Sequence, residues 1–482
     1  MKLSLLTEKL DIIETNADFD TDITDICYDS RKAAKNMMFV AVRGFETDGH
    51  KYISNAVGLG CSVVVCEEKP LLECNYILVS DSRLALALVS CAFFGYPSKE
   101  LTMIGITGTS GKTTSTQLIK QVIEHSTGKK VGLIGTNGNY IGNIEIHTEH
   151  TTPESYELQK LLRQMVDSEC EYLVMEVSSH ALSLDRVADI CFDVAAFTNL
   201  SQDHLDFHAD MDDYAAAKKK LFYSCRKACI NLDDEYSEYM LSDIPCPVLT
   251  FSLESSADLV ANDIILNSTS VEFDAEYNGT YSRVYLPIPG KFSVYNSLTV
   301  ISVCLSLGMS MDCIVSALSE VSGVKGRMES VPTDGDYSVI IDYSHKPDPL
   351  EKVLKTLRPV TKGKLIVLFG CGGDRDKAKR PIMGRIACEN ADFAIVTSDN
   401  PRTEDPQSII DEILSGMKDT STPYKVIVDR IEAIKWAVDN ASDGDVILLA
   451  GKGHEDYQVV GHEKHHMDER EIVADYLKER HA

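Results

Sequence analysis

Long apolar runs, paired cysteines and an excess of cations are all missing from this sequence, and each absence narrows the reading. The longest apolar stretch, 84–96, is too short to span a bilayer. At the N-terminus Lys2 is followed by only a few apolar residues before Glu8 and Lys9, so no secretory signal is expected and the chain is expected to stay in the cytoplasm. The fourteen cysteines include no CxxC pair, and in a reducing compartment they read as small, mostly buried hydrophobes. Lysine and arginine total 47 against 74 aspartates and glutamates, a formal net charge of −27. That balance argues against nucleic acid or an anionic membrane as partner. It leaves room for an anionic small molecule, because a local group of cations and backbone N–H groups can hold a phosphate inside an acidic protein. No internal repeat or low-complexity tract is present, and the expected partners are small-molecule substrates bound by a monomer.

The 482 residues are 44% hydrophobic and 25% charged, an ordinary globular composition. The length suggests about three domains. Short β-rich runs at 37–42, 61–66 and 76–79 and a helical stretch at 84–94 end at Gly95-Tyr96-Pro97, which marks a linker. A second unit opens with a buried strand, 101–107, continues through apolar strands at 172–177 and 194–198, and runs to about 330. The third alternates strand and helix, with strands at 339–342, 365–369, 393–396 and 446–450, which implies a mostly parallel sheet covered by helices. The expected division is 1–97, 98–330 and 331–482, in an α/β fold. Six polar clusters each follow an apolar strand: 107–114, 176–180, 199–208, 371–376, 399–402 and 451–455. Ligands of open α/β sheets bind beyond the carboxyl ends of strands, so these clusters point to two sheet edges sharing a cleft.

The strongest local signal is Gly105-Ile-Thr-Gly-Thr-Ser-Gly-Lys-Thr-Thr114, between a strand and a helix. Its backbone N–H groups can cradle phosphates. Lys112 would reach the β/γ-phosphates and the Thr113 hydroxyl would face Mg²⁺. The step from Gly105 to Gly111 is one residue longer than the common P-loop pattern, and an ordinary strand–helix turn is the competing reading. Glu176, at a strand end, suits a metal ion or a capping role. His204 and His208 lie four apart, so zinc is one reading, although no HExxH is present; a second-metal or substrate role is the other. Residues 215–220, Ala-Ala-Ala-Lys-Lys-Lys, read as an exposed basic helix face. Arg375 and Arg402 each follow a strand and suit a ligand with carboxylates, or else structural ion pairs. Glu455, in Gly-Lys-Gly-His-Glu455, could bind an ammonium group. Together these three loops describe a zwitterion site.

Thr-Gly-Thr-Ser-Gly-Lys-Thr-Thr114, Met-Glu-Val-Ser-Ser-His-Ala-Leu182, Asn-Leu-Ser-Gln-Asp-His-Leu-Asp-Phe-His208, Gly-Arg-Met-Glu329 and Asp-Tyr-Ser-His345 resemble motifs of the Mur ligases. The resemblance runs from Asp29-Ser30-Arg31 to Gly453-His454-Glu455 and is nearest to the diaminopimelate-adding members. It implies an N-terminal domain for a uridine nucleotide, a central P-loop-type ATPase and a C-terminal Rossmann-like domain for the amino acid. The implied reaction is ATP-dependent addition of meso-diaminopimelate to the D-glutamate of UDP-MurNAc-L-Ala-D-Glu through an acyl phosphate, with ATP and Mg²⁺ required. L-Lysine or ornithine is an alternative acceptor. By the same resemblance, Gly108, Thr109, Ser110, Gly111, Lys112, Thr113, Thr114, Asn296, Arg327 and Asp342 contact ATP. Tyr28, Ser30, Phe45, Glu46 and Thr47 hold the UDP end, and Thr151, Thr152, Ser178 and Arg186 the muramoyl dipeptide. Thr113, Glu176, His204 and Lys218 surround the metal, Lys218 matching the family lysine that carries a carbamate (N6-carboxylysine). Arg375, Asp399, Asn400, Pro401, Arg402, Gly451 and Glu455 match the diaminopimelate site. Three positions depart from the pattern: Ser293 stands where Asn is usual, Leu184 where some relatives have Gln, and Ser344 where Ala is usual. A folylpolyglutamate synthase shares the ATPase core but has no reason to carry Asp-Asn-Pro-Arg402 with Gly-His-Glu455. A non-catalytic P-loop switch would not need the extra metal ligands.

Overall fold

The computed structural model describes residues 1–44, 47–146, 151–205 and 207–480. They form two compact units, 1–260 with 298–314, and 261–297 with 315–482.

The first unit holds two sheets. The N-terminal sheet runs, edge to edge, through Ile12–Thr15, Tyr76–Val79, Val63–Cys66, Met38–Val40 and Ile26–Cys27. Only the edge pair Ile12–Thr15 with Tyr76–Val79 is antiparallel; the other pairs are parallel. The run Val-Val-Val-Cys66 has no polar alternation because both faces are covered. Val63 and Val65 pack with Leu86 and Val89 of the helix Ser82–Phe93, while Val64 and Cys66 pack with Ile53 and Ala56 on the other side. Asp81 caps that helix, its carboxylate accepting from the Arg83 and Leu84 amides.

The larger sheet of this unit places Thr102–Thr107 between Tyr172–Glu176 and Val194–Phe197, with Ala228–Asn231 and Val248–Ser252 beyond, all parallel. On the other side Val131–Gly135 pairs parallel with Tyr172–Glu176 and continues into antiparallel strands Gly138–Ile141 and Ile144–Ile146. The register sets Glu176 opposite Ile106 and Phe197 opposite Thr107. Three polar loops therefore leave the sheet at one level.

The second unit contains a six-stranded sheet in the order Glu329–Val331, Ser338–Asp342, Val446–Ala450, Leu365–Phe369, Phe393–Val396, Tyr424–Val426. All pairs but the first are parallel. The last strand of this sheet in sequence, Val446–Ala450, inserts between the much earlier Ser338–Asp342 and Leu365–Phe369. The loops after Ser338–Asp342, Leu365–Phe369, Phe393–Val396 and Val446–Ala450 thus converge at one edge, the position where such sheets bind ligands. A hairpin, Tyr457–Val460 with Glu463–His466, ties in through a bridge between Arg402 and Val460.

Candidate functional site

The P-loop forms as expected. Helix Lys112–Thr127 begins after Gly111, which sits at φ +83° and has no side chain to cap the helix, so its first turn faces the loop where a phosphate would sit. The strand end next door fixes the loop. The Thr198 hydroxyl donates to Ser110 O (2.7 Å), the Ser110 amide to Asn199 Oδ1 (3.0 Å) and the Thr109 amide to Asn199 O (2.8 Å). Gly108, at φ +149°, lies so close that a Cβ would meet Thr198 Oγ1 at 1.9 Å. Lys112 Nζ donates to the carbonyls of Gly108 and Thr109 (2.8 and 2.9 Å).

Residues 215–220 are not the exposed basic face the sequence suggested. Lys218 is buried, Lys219 nearly so, and only Lys220 is exposed. Lys218 Nζ donates to Gly108 O at 2.9 Å, the same carbonyl Lys112 uses, and lies 4.4 Å from the centre of the Tyr214 ring. Burial first, and Lys112 second, push its pKa well below the usual lysine range, favouring the neutral amine.

Glu176 is buried at its strand end and accepts from the Thr136 amide (2.8 Å) and hydroxyl (3.2 Å). Around it the structure gathers the residues assigned to the dipeptide. Thr136 Oγ1 and Thr151 Oγ1 lie 3.0 Å apart, and Thr152 Oγ1 donates to Glu176 O (2.8 Å). The Ser178 amide donates to Thr152 Oγ1 (3.2 Å), and Arg186 Nη1 to Thr152 O (3.0 Å). His204, at φ +54°, stands edge-on to His180 with ring centres 4.9 Å apart. The zinc reading of His204 with His208 fails, because His208 is buried with its ring nitrogens engaged by Ser179 (2.9 Å) and Asp213 (3.1 Å). Among the described residues no three His, Cys, Asp or Glu side chains surround one cation position.

In the N-terminal sheet Tyr28 lines a cavity of about 350 Å³, its hydroxyl donating to Glu157 (2.9 Å). Ser30 and Thr47 are not in its wall; their hydroxyls lie near Asn55 (3.3 Å) and Tyr52 (3.3 Å). Phe45 and Glu46 lie outside the described residues.

In the second unit Asp342 is buried and takes the Met328 amide (2.9 Å) and the Ser344 hydroxyl. Burial raises its pKa, against Ser344 and Arg327. The departure at Ser344 therefore adds a donor to Asp342. Ser293 spends its hydroxyl on Pro289 O (2.8 Å), and Asn296 is buried one turn further along the helix Lys291–Ser306. Arg327 lies 5.3 Å from the centre of the Tyr343 ring.

Six of the seven residues matched to the amino-acid site line one cavity of about 690 Å³: Arg375, Asp399, Asn400, Arg402, Gly451 and Glu455. Pro401 is not in the wall; its carbonyl faces Gly373, where a Cβ would lie 1.9 Å away. Burial would raise the Asp399 carboxyl, but Lys452 and Arg430 hold it below the usual range. Arg430 is itself buried against Glu469 (2.8 Å) and donates to Ala450 O (3.0 Å), just before Gly451. Sequence reasoning gave Gly372 and His345 no place in this wall, although both lie in segments it singled out, and missed Lys379 in the wall and Lys452 and Arg380 behind it. Lys452 had one signal, its place inside Gly-Lys-Gly-His-Glu455; Arg380 had none.

Family models match three successive segments: the Mur ligase family catalytic domain at 22–90, the Mur ligase middle domain at 106–304 and the Mur ligase glutamate ligase domain at 326–453. A Clostridium acetobutylicum protein named UDP-N-acetylmuramoyl-L-alanyl-D-glutamate--2,6-diaminopimelate ligase 1 is 47% identical over 466 residues, 96% of each chain. The Clostridium tetani ligase of the corresponding name is 46% identical over 99% of this chain and 100% of its own. A solved structure with the same ligase title superposes with a TM-score of 0.78 at 31% identity, covering 100% of this chain and 99% of that one. These matches, over three successive segments and nearly the whole length, make the chain a three-domain α/β member of the Mur ligase family of ATP-dependent ligases.

Proposed function

We propose that the protein joins meso-diaminopimelate to the D-glutamyl γ-carboxylate of UDP-MurNAc-L-Ala-D-Glu, converting ATP to ADP and phosphate, in peptidoglycan precursor synthesis. The observation that carries this reading is the 690 Å³ cavity, which presents two guanidinium groups, Arg375 and Arg402, together with the carboxylates of Asp399 and Glu455. A second amino-acid head, with its carboxylate and ammonium, is the ligand such a wall matches.

A carboxylate is a poor electrophile. On this reading the γ-carboxylate oxygen attacks the γ-phosphorus in line, giving an acyl phosphate and ADP. The neutral amine of the acceptor then attacks the acyl carbon, the amide forms, and phosphate leaves with the electron pair of the broken C–O bond. Positioning and charge neutralisation supply most of the acceleration. Residues 108–114 cradle the phosphates and Lys112 swings from the loop carbonyls to the β/γ-phosphates, and by family resemblance Asn296, Arg327 and Asp342 are further ATP contacts. Thr151, Thr152, Ser178 and Arg186 orient the dipeptide, and Tyr28, Ser30 and Thr47 the uridine end. Thr113, Glu176, His204 and carbamylated Lys218 would hold Mg²⁺, which when bound neutralises charge on the transferring phosphoryl group. The residues present fit that ion in one respect above others. Lys218 and Lys112 share one carbonyl, and a neutral Lys218 amine can take up CO₂ to become an anionic oxygen ligand. The domains on this reading are 1–97, 98–330 and 331–482, and the enzyme works as a cytoplasmic monomer on small molecules. No helix of the described residues is long and apolar enough to cross a membrane.

The test is phosphate release from ATP. Release should require both UDP-MurNAc-L-Ala-D-Glu and an amino acid, with diaminopimelate preferred to lysine and ornithine. Release that ignores the acceptor, or a preference for lysine, overturns the assignment.

A further inference from the structure

Of the buried cations behind the acceptor cavity, Arg430 pairs with Glu469, while two others, Arg380 and Lys452, hold the wall itself without being part of it. Each organises a different part of that wall. Arg380 donates through Nη1 and Nη2 to Glu404 (3.0 and 2.9 Å), through Nη1 to Glu412 (2.8 Å) and through Nη2 to Gly372 O (3.2 Å). Glu404 in turn takes the Asp374 amide (2.6 Å), and Arg402 Nη1 donates to Gly373 O (2.8 Å). The segments bearing Arg375 and Arg402 are thereby clamped to one buried guanidinium. Lys452 Nζ donates to Asn400 Oδ1 (2.6 Å), Glu455 Oε2 (3.1 Å) and Tyr457 O (2.6 Å). Asn400 Nδ2 donates to the same Glu455 oxygen (3.0 Å), so one carboxylate oxygen is committed to the protein and the residue still lines the cavity.

The geometry points to a division of labour: Arg380 positions the arginine wall that reads the acceptor's distal carboxylate, and Lys452 positions the carboxylate wall that reads its distal ammonium. This rests on the acceptor reading above. Both are positioning residues, acting through Arg375 and Arg402 in one case and through Glu455 and Asn400 in the other. Burial of an ion pair alone would not separate the two roles, since such pairs also serve stability. The ligand chemistry does separate them.

The experiment measures kcat and KM of the full-length enzyme, at saturating ATP and UDP-substrate, with three acceptors. These are meso-diaminopimelate, L-lysine, which lacks the distal carboxylate, and L-2-aminopimelate, which lacks the distal ammonium. Arg380→Gln should lower kcat/KM for diaminopimelate and aminopimelate by about tenfold to a hundredfold and leave lysine nearly unchanged. Lys452→Met should lower diaminopimelate and lysine by a similar factor and spare aminopimelate. The losses should lie in KM. Where either variant fails to fold, Arg380→Lys and Lys452→Arg decide, each expected to shift the same ratio by a smaller factor. The proposal is overturned if the diaminopimelate-to-lysine and diaminopimelate-to-aminopimelate ratios move together in both variants, or if neither moves. A parent enzyme that does not prefer diaminopimelate to lysine overturns the acceptor reading instead, a result visible before any variant is made.

Discussion

Gly108→Ala is the sharpest perturbation of the nucleotide loop. A Cβ at this position would lie 1.9 Å from Thr198 Oγ1 and 3.1 Å from Asn199 O, and the backbone sits at φ +149°, where side chains other than glycine are strained. Holding alanine there costs about 1–3 kcal/mol before the clash is counted. The clash is relieved by turning the Thr198 hydroxyl away, which breaks its bond to Ser110 O, or by moving residue 108 away from Thr198. That movement takes the Gly108 carbonyl from Lys112 (2.8 Å) and from buried Lys218 (2.9 Å), and an unmade bond at the buried amine costs about another 1–3 kcal/mol. The sum, about 2–6 kcal/mol, corresponds to a loss of nucleotide affinity of at least about thirtyfold if it falls on the loop conformation that binds phosphate. Isothermal calorimetry with ADP reads this directly, and affinity for UDP-MurNAc-L-Ala-D-Glu serves as the control, expected to stay within about twofold. A Gly108→Ala protein that binds ADP as tightly as the parent would refute the claim that the loop is already in its working shape.

Three further expectations concern other parts of the molecule. Lys218→Ala should nearly abolish turnover, with partial rescue by short-chain carboxylic acids; full activity in the alanine variant would rule out a carbamylated role. Arg402→Ala should cost diaminopimelate about 1.5–3 kcal/mol in kcat/KM and lysine far less, and equal losses for both would remove Arg402 from the distal-carboxylate contact. Hydrogen bonding from Arg380 holds the Glu404 carboxyl at about 2, below its ordinary 4.5, so the folded protein releases this proton more readily than the unfolded chain. Its contribution to stability is therefore full above about pH 4.5 and lost as pH falls toward about 2. The gap in thermal midpoint between the parent and Glu404→Gln should narrow across that window, and a gap of constant size from pH 6 to pH 3 would contradict the pairing.

The strands Tyr76–Val79, Leu365–Phe369, Phe393–Val396 and Val446–Ala450 were legible to the residue, because each is a continuous apolar run bounded by polar turns and buried on both faces. The helix Met211–Tyr223 shows the limit. Three adjacent lysines look alike in sequence, yet the partner that takes Lys218 inward is Gly108, 110 positions away. Periodicity reports which face of a helix is apolar and says nothing of a distant carbonyl. Arg380 and Lys452 were hidden for the same reason. Their partners Glu404, Glu412 and Asn400 are 24, 32 and 52 positions away, and an arginine on a helix reads by default as solvated. The cavity residues themselves were readable because they follow strand ends, where position in the sheet and position in the sequence coincide.

The register of the central sheet carries a consequence for insertions and deletions. Glu176 reaches its level because five residues of its strand pair in step with residues 102–106. One residue added between Tyr172 and Met175 would carry the carboxylate about 3.3 Å past the phosphate loop and turn it to the opposite face of the sheet. Two added residues would restore the face and leave an offset of about 6.6 Å, longer than the 2.8 Å bond from the Thr136 amide can follow. The same arithmetic applies to Val194–Phe197, whose continuation supplies Thr198 and Asn199 to the loop. Length changes should therefore be tolerated at the far edge, in the helix-to-strand turn at 168–171 for example, and eliminated within the strands. A scan of single-residue insertions from 168 to 176, scored for turnover and for folding, should fall from tolerance to inactivity at about the first strand residue.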